Sequence, residues 1–279
     1  FMMEQDPSFR TVAYFSMEVG LKAGIPTYSG GLGVLAGDIL KSAADLGVPM
    51  AGVTLLYRKG YFRQTFDDCL QEALPVEWDP GKELTLLPNE VTVIIEERIV
   101  KVRAWCLEIQ GRTGFTVPVY FMDTDLDGNT PEDRQLTWYL YGGDERYRLC
   151  QEIILGSGGL RMLRDLGYSN IDDYHLNEGH AAFLLLELIR EMGYENYDRV
   201  RERGIFTTHT PVSAGHDRFS WDLVNRVMHR SMAGRLRRMM PTEDVSMTEI
   251  ALRYSYYING VSEKHAEVSR AMYGREDVD

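Results

Sequence analysis

Thr27-Tyr28-Ser29-Gly30-Gly31-Leu32-Gly33-Val34-Leu35-Ala36-Gly37-Asp38 is the stretch on which the reading of the fold turns. Three glycines fall in four positions, and a helical pattern starts at once. Leu35, Ile39 and Leu46 recur at helical spacing, with Ala36, Ala43 and Ala44 on the same side. Gly30, Gly31 and Gly33 carry no Cβ, so the backbone can turn sharply and a ligand can come close. The first N–H groups of the helix lack partners within it and lie at the positive end of its dipole. Such a place suits phosphate or sugar oxygens and contributes about 0.3–1 kcal/mol at an exposed site, enough to orient a ligand and too little to bind it alone. A glycine loop by itself is equally a tight strand-to-helix connection.

Outward from the loop, the chain reads as α/β. Residues 11–16 form a strand buried on both faces, and a second strand spans 50–57 after Gly47-Val48-Pro49 stops the helix. Arg58-Lys59-Gly60 reads as a hairpin turn into 61–66. Residues 75–125 form a β-rich insertion, with strands at 91–96, 99–109 and 115–121 that make an added antiparallel layer. Asp123-Thr124-Asp125-Leu126-Asp127-Gly128-Asn129 has something of a calcium loop, but Arg134 occupies the position of the twelfth-residue Glu, which leaves a solvated turn. A helix from Asp144 carries Gly156, Gly158 and Gly159, a cost that points to another backbone packed against it. Strands at 174–177 and 204–208 run into Glu178-Gly179-His180 and His209-Thr210-Pro211, and a short apolar piece ends before Asn259-Gly260. Helices are expected over 181–190, from Trp221, from Met247 and over 263–272. In a doubly wound sheet, polar segments at strand ends share one crevice.

Composition narrows the function. A net charge of −12 without a long Lys/Arg stripe argues against nucleic acid and anionic membranes as partners. Arg235-Leu236-Arg237-Arg238 reads as a solvated helix face. Cys69, Cys106 and Cys150 show no C-x-x-C spacing and suit reduced thiols in a cytoplasmic protein. Residues 1–7 have neither the basic nor the apolar region of a signal peptide, and no apolar stretch is long enough to span a bilayer.

His175, Glu178 and His180 lack the H-E-x-x-H spacing, so no metal is expected there. His175 reads as a satisfied core histidine, while Glu178 and His180 suit sugar hydroxyls. Pro211 keeps Thr210 extended, which leaves His209 at a strand end either to meet a hydroxyl or to cap its loop. His216-Asp217 reads either as an oriented pair or, more simply, as a pair that pins a loop. No nucleophile elbow, Walker loop or G-x-G-x-x-G spacing occurs.

Taken together, several segments resemble the α-glucan (glycogen/maltodextrin) phosphorylases. They are Ala13-Tyr14-Phe15-Ser16-Met17-Glu18, the glycine stretch, Leu56-Tyr57-Arg58-Lys59-Gly60-Tyr61-Phe62-Arg63-Gln64 and Leu140-Tyr141-Gly142-Gly143-Asp144. Gln151-Glu152-Ile153-Ile154-Leu155-Gly156, His175-Leu176-Asn177-Glu178-Gly179-His180, Thr207-Thr208-His209-Thr210-Pro211 and Asn259-Gly260-Val261-Ser262 continue the match in order. Glu178-Gly179-His180 departs from the Asp-Thr-His-Pro of the animal branch and looks like the shorter bacterial and archaeal branch.

The resemblance implies a GT-B fold, of which residues 1–279 look like the Rossmann-like amino-terminal half. The pyridoxal 5'-phosphate lysine of the family lies in a carboxyl-terminal domain that no segment here resembles. It further implies that Gly30, Gly31, Leu32 and Gly33 face the cofactor and substrate phosphates. His209 would bond the 6-hydroxyl of the reacting glucose, Asn259 would contact the same sugar, and Glu178 and His180 would line the glucan side. The implied reaction is phosphorolysis of α-1,4-glucan by phosphate to glucose 1-phosphate, with the isolated chain inactive or nearly so. Its partners would be those three molecules, the missing carboxyl-terminal domain and a possible second copy in a homo-oligomer. A glycogen/starch synthase-like glucosyltransferase is the alternative enzyme, but Tyr28-Ser29 occupies the place of its usual Lys-x pair. A non-enzymatic glucan-binding module is the third reading, and a metal-dependent hydrolase the last.

Overall fold

The structure is a computed structural model describing residues 10–61, 63–67, 70–74, 76–209 and 216–279. The expectations on residues 1–7, on Cys69 and on Thr210 and Pro211 lie outside the described residues. In chain order the strands are β1 (Val12–Ser16), β2 (Met50–Leu55), β3 (Arg63–Asp67), β4 (Leu70–Leu74), β5 (Thr85–Ile95) and β6 (Arg98–Gln110). There follow β7 (Thr116–Asp123), β8 (Asp173–Asn177), β9 (Gly204–Thr208), β10 (Arg218–Ser220), β11 (Asp244–Ser246) and β12 (Tyr257–Gly260).

Eight of them form one sheet in the order β12-β9-β8-β1-β2-β7-β6-β5. From β12 to β7 every pairing is parallel, and β7, β6 and β5 pair antiparallel. The β-rich segment therefore lengthens the main sheet edgewise. β1 lies near the middle, and its alternating side chains serve two cores. Ala13 and Phe15 join the larger one with Val53, Leu176 and Phe183, while Tyr14 joins the other with Leu40 and Phe121. A strand buried on both faces reads as a continuous apolar run for this reason.

Arg58-Lys59-Gly60 does not turn β2 into a hairpin. β2 already has parallel neighbours on both sides, β1 and β7, so no antiparallel partner can reach it. The hairpin is instead β3 with β4, a separate ribbon. The aspartate-rich segment after β7 is not simply solvated either. Asp127 is exposed, but Asp123 is fully buried, within reach of Arg58 at 2.7 Å, Arg103 at 3.0 Å and the Trp105 Nε1 donor at 3.0 Å. Against the opposing effect of burial, Arg58, the Asp125 backbone and Trp105 hold its carboxyl below the ordinary range.

The helix after the glycine loop spans Gly31–Leu46, and Gly47 ends it in the left-handed region at φ 70. Its buried stripe is Gly33, Ala36, Gly37, Leu40, Ala43 and Ala44, and Leu46 is 73% exposed. The small residues face inward because the helix is drawn against the chain at Gly20. A Cβ on Gly37 would lie 1.9 Å from the Gly20 carbonyl oxygen. Leu35 lies off that stripe and is half-buried.

The helix expected from Asp144 has a π turn over Ile154–Gly158 between α-helical pieces Glu145–Ile153 and Gly159–Asp165. Here a neighbouring backbone does approach, since a Cβ on Gly156 would meet Leu184 N at 2.5 Å. The later helices form at Phe183–Met192, Trp221–Val227, Met247–Arg253 and Glu263–Tyr273. Another, Arg230–Met239, buries Ala233 and Leu236 and leaves its arginines on the outer face, with Arg237 stacked over Trp221 at 4.4 Å.

Candidate functional site

β1, β8, β9 and β12 point their carboxyl ends to one edge of the sheet. There lies a cavity of about 580 Å³ lined by Glu18, Gly31, Leu32, Leu35, Tyr141, Arg148, His180, His209 and Val261. Of the residues expected in the site, Gly31, Leu32, His180 and His209 line it together. Glu178 and Asn259 stand behind the wall, and Gly30 and Gly33 flank the lining residues of the loop.

Gly30 caps the helix in extended geometry, and Val34 N makes the first bond back, to Gly30 O at 3.2 Å. The N–H groups of Gly31, Leu32 and Gly33 precede that bond and have no intrahelical partner. Gly30 and Gly31 are not at positive φ, and a Cβ at either would meet nothing within 4 Å. Neither turn geometry nor packing within this chain requires glycine there. What their bareness provides is access to the backbone. Gly33 differs, because its Cβ would strike Tyr28 Cβ at 2.5 Å and Glu18 Oε2 at 2.8 Å.

Glu18 carried no role in the sequence reading. It is buried, and its Oε2 accepts from Ser29 N at 2.6 Å and Gly30 N at 3.1 Å, while Oε1 accepts from Tyr141 Oη at 2.7 Å. The chain thus places its own carboxylate against the first part of the glycine loop. Only the next three N–H groups are left for a ligand. The signal was its place two residues past a buried strand, but nothing local tells a loop-bracing Glu from a solvated one.

Asn177, at the end of β8, ties the loop to His209. Its Nδ2 donates to Ser16 Oγ at 3.0 Å and Leu32 O at 3.3 Å, so its Oδ1 faces His209 Nε2 at 2.6 Å. The proton therefore sits on Nε2, and Nδ1 is left as an acceptor. Burial, with His265 nearby, lowers the His209 pKa to about 4, so the ring is neutral at pH 7. Its main-chain N–H donates to Glu178 Oε2 at 2.8 Å.

Glu178 itself is held at φ 71 and ψ 171, a region costly for any residue but glycine, on the order of 1–3 kcal/mol. Its carboxylate also accepts from Gly179 N at 3.1 Å, so it braces the turn that presents His180. His180 Nε2 lies 3.5 Å from Asp217 Oδ2, and its buried Nδ1 has no hydrogen bond within the described residues. Burial, then Arg148, lowers its pKa to about 3.

Arg148 stacks on the Tyr141 ring at 4.5 Å and reaches Asp217 Oδ2 at 3.0 Å. His216 bonds to Thr248 and Tyr273 while Asp217 turns to Arg148 and His180, so these neighbours pin separate elements. Across β8, β9 and β12, His175 meets Thr207 Oγ1 at 2.7 Å, and Thr207 donates to Asn259 Oδ1 at 2.8 Å. His175 is the satisfied core histidine its setting suggests. Asn259 precedes by two residues the Val261 that lines the cavity. No group of three or more metal-ligating side chains occurs among the described residues, and no described helix is long and apolar enough to cross a membrane.

A sequence profile of the carbohydrate phosphorylase family matches residues 21–102. The chain is 40% identical to a glycogen phosphorylase of Mycobacterium tuberculosis over 94% of its own length and 34% of that protein. It is 41% identical to a maltodextrin phosphorylase of Thermococcus litoralis over 94% of its length and 33% of that protein. With a glycogen phosphorylase of Aquifex aeolicus it shares 30% identity over 96% of its length and 42% of that protein. The chain spans about a third of the length of the first two relatives.

Proposed function

We propose, from the similarity of this chain along almost its whole length to glycogen and maltodextrin phosphorylases, that it forms the sugar- and phosphate-facing half of an α-1,4-glucan phosphorylase site. The observation that carries the reading is the cavity where bare helix N–H groups meet two neutral histidines.

Each group has a task in phosphorolysis of a terminal glucose. The N–H groups of Gly31, Leu32 and Gly33 suit phosphate oxygens, and the open space over Gly30 and Gly31 admits them. The same space fits the phosphate of a pyridoxal 5'-phosphate carried by the complete enzyme. When bound, that group supplies a phosphate able to pass a proton to the substrate phosphate. His209 Nδ1 accepts a sugar hydroxyl, and its neutral state leaves no cation beside a reacting carbon that gains positive charge. Glu18 stands on the same wall and braces the start of the loop. Leu32, Leu35 and Val261 provide the apolar patches against which a hexose ring packs. Glu178 and Asn259 act from behind, Glu178 by holding the His209 backbone.

Calorimetry with maltoheptaose tests this reading. The purified chain should bind it and release no glucose 1-phosphate when phosphate is added. Absence of glucan binding, or transfer of glucose from ADP-glucose, would overturn it.

A further inference from the structure

Arg148 lines the cavity, and two acids stand behind it. Its Nε lies 3.0 Å from Asp217 Oδ2 and 3.4 Å from Glu152 Oε1, one helical turn along the same helix. Glu152 is fully buried, and neither of its oxygens has a hydrogen-bond donor among the described residues. As an ionised carboxylate it would set a second negative charge against one guanidinium, with its oxygens unserved, an arrangement that is strongly unfavourable in a buried site. A carboxylic acid that donates to Asp217 removes both faults, and both carboxyls converge on the same Arg148 Nε, at 3.4 and 3.0 Å.

We infer that Glu152 is a positioning residue kept as a carboxylic acid, sharing one proton with Asp217 so that the pair carries a single negative charge and pins Arg148 at the cavity wall. The ionisation tendencies agree with the geometry. Burial, then Asp217, pushes the Glu152 carboxyl well above its ordinary range. Asp217 is held below its own by Glu152, His180 and Arg148, against the opposing effect of burial. Of the groups around the pair, His180 is neutral at pH 7, and Tyr141, under the guanidinium, has its phenol pushed up by burial and Glu18. The inference deepens the proposed site and rests on that reading only for what Arg148 faces.

Difference infrared spectroscopy of the full chain at neutral pH tests the proton whether or not the chain acts on glucans. A buried carboxylic-acid C=O band should be present in the wild type and lost in Glu152→Gln. It should also be lost in Asp217→Asn, where Glu152 remains but becomes the sole counter-charge of Arg148 and ionises. The Arg148 Nε–H resonance should stay protected from exchange in Glu152→Gln, whose amide keeps a donor, and lose protection in Glu152→Ala. No acid band in the wild type, or a band that survives Asp217→Asn, overturns the inference. So does loss of Arg148 protection in a folded Glu152→Gln.

Discussion

Gly31 and Gly33 are two residues apart and answer to different constraints. A methyl on Gly31 meets open space, so Gly31→Ala should melt with the wild type while its maltoheptaose affinity falls about tenfold or more, roughly 1.4 kcal/mol. Gly33→Ala drives a methyl into Tyr28 and Glu18 and should lower stability by about 1–3 kcal/mol in urea titrations. Unchanged glucan binding in Gly31→Ala would detach the loop from the ligand. Asn177 is the other decisive single residue. Truncation to Ala leaves Leu32 O and His209 Nε2 without their common partner, an expected cost of about 1–3 kcal/mol by the same measurement. His209 should also lose its fixed tautomer, visible as a change in the imidazole nitrogen shifts by NMR.

At the scale of elements, the glycines of two helices set how closely layers approach. Gly37 lies against the Gly20 carbonyl and Gly156 against the Leu184 backbone, so neither neighbour can rotate aside as a side chain would. Gly37→Ala and Gly156→Ala should each destabilise by about 3 kcal/mol or more, at the upper end for overpacking. The expected gain in helix propensity from Gly to Ala, about 1 kcal/mol, is too small to offset it. Equal or raised urea midpoints for either variant would show that these helices stand further from their neighbours. The same close approach explains why the inward stripe of the Gly31–Leu46 helix is, apart from Leu40, built of small residues.

For the whole molecule, three desolvated histidines set the response to acid. His175, His180 and His209 titrate at about 4, 3 and 4 in the folded chain, below the ordinary 6.5. As pH falls below about 6.5 the unfolded chain takes up these protons and the folded chain does not. Stability is therefore lost on acidification, by up to about 1.4 kcal/mol per pH unit for each histidine, until the folded-state values are reached. Glu152 has the opposite sign: its carboxyl stays protonated in the folded chain above the ordinary 4.5, so acid favours folding at that one group. Urea midpoints should fall from pH 7 to pH 5 in the wild type, and more steeply in Glu152→Gln. A midpoint flat across that interval would place protons on the folded histidines.

Much of this was legible in the residues. The both-face burial of β1, the glycine loop opening a helix, the close backbone at Gly156 and the core role of His175 all follow from periodicity and side-chain size, properties that act within a few residues. The convergence of Leu32 with His209 was legible too, because parallel strands send their ends to one edge. Partnership across the chain was not. Whether Glu18 braces the loop, whether Asp123 is solvated, or which acid beside Arg148 keeps a proton depends on residues tens of positions away. Order along the chain settled the α/β class and the ends at which a site could form. Only the tertiary structure decided which polar groups there face the cavity and which are bound behind it, since burial and charge pairing are properties of neighbours in space.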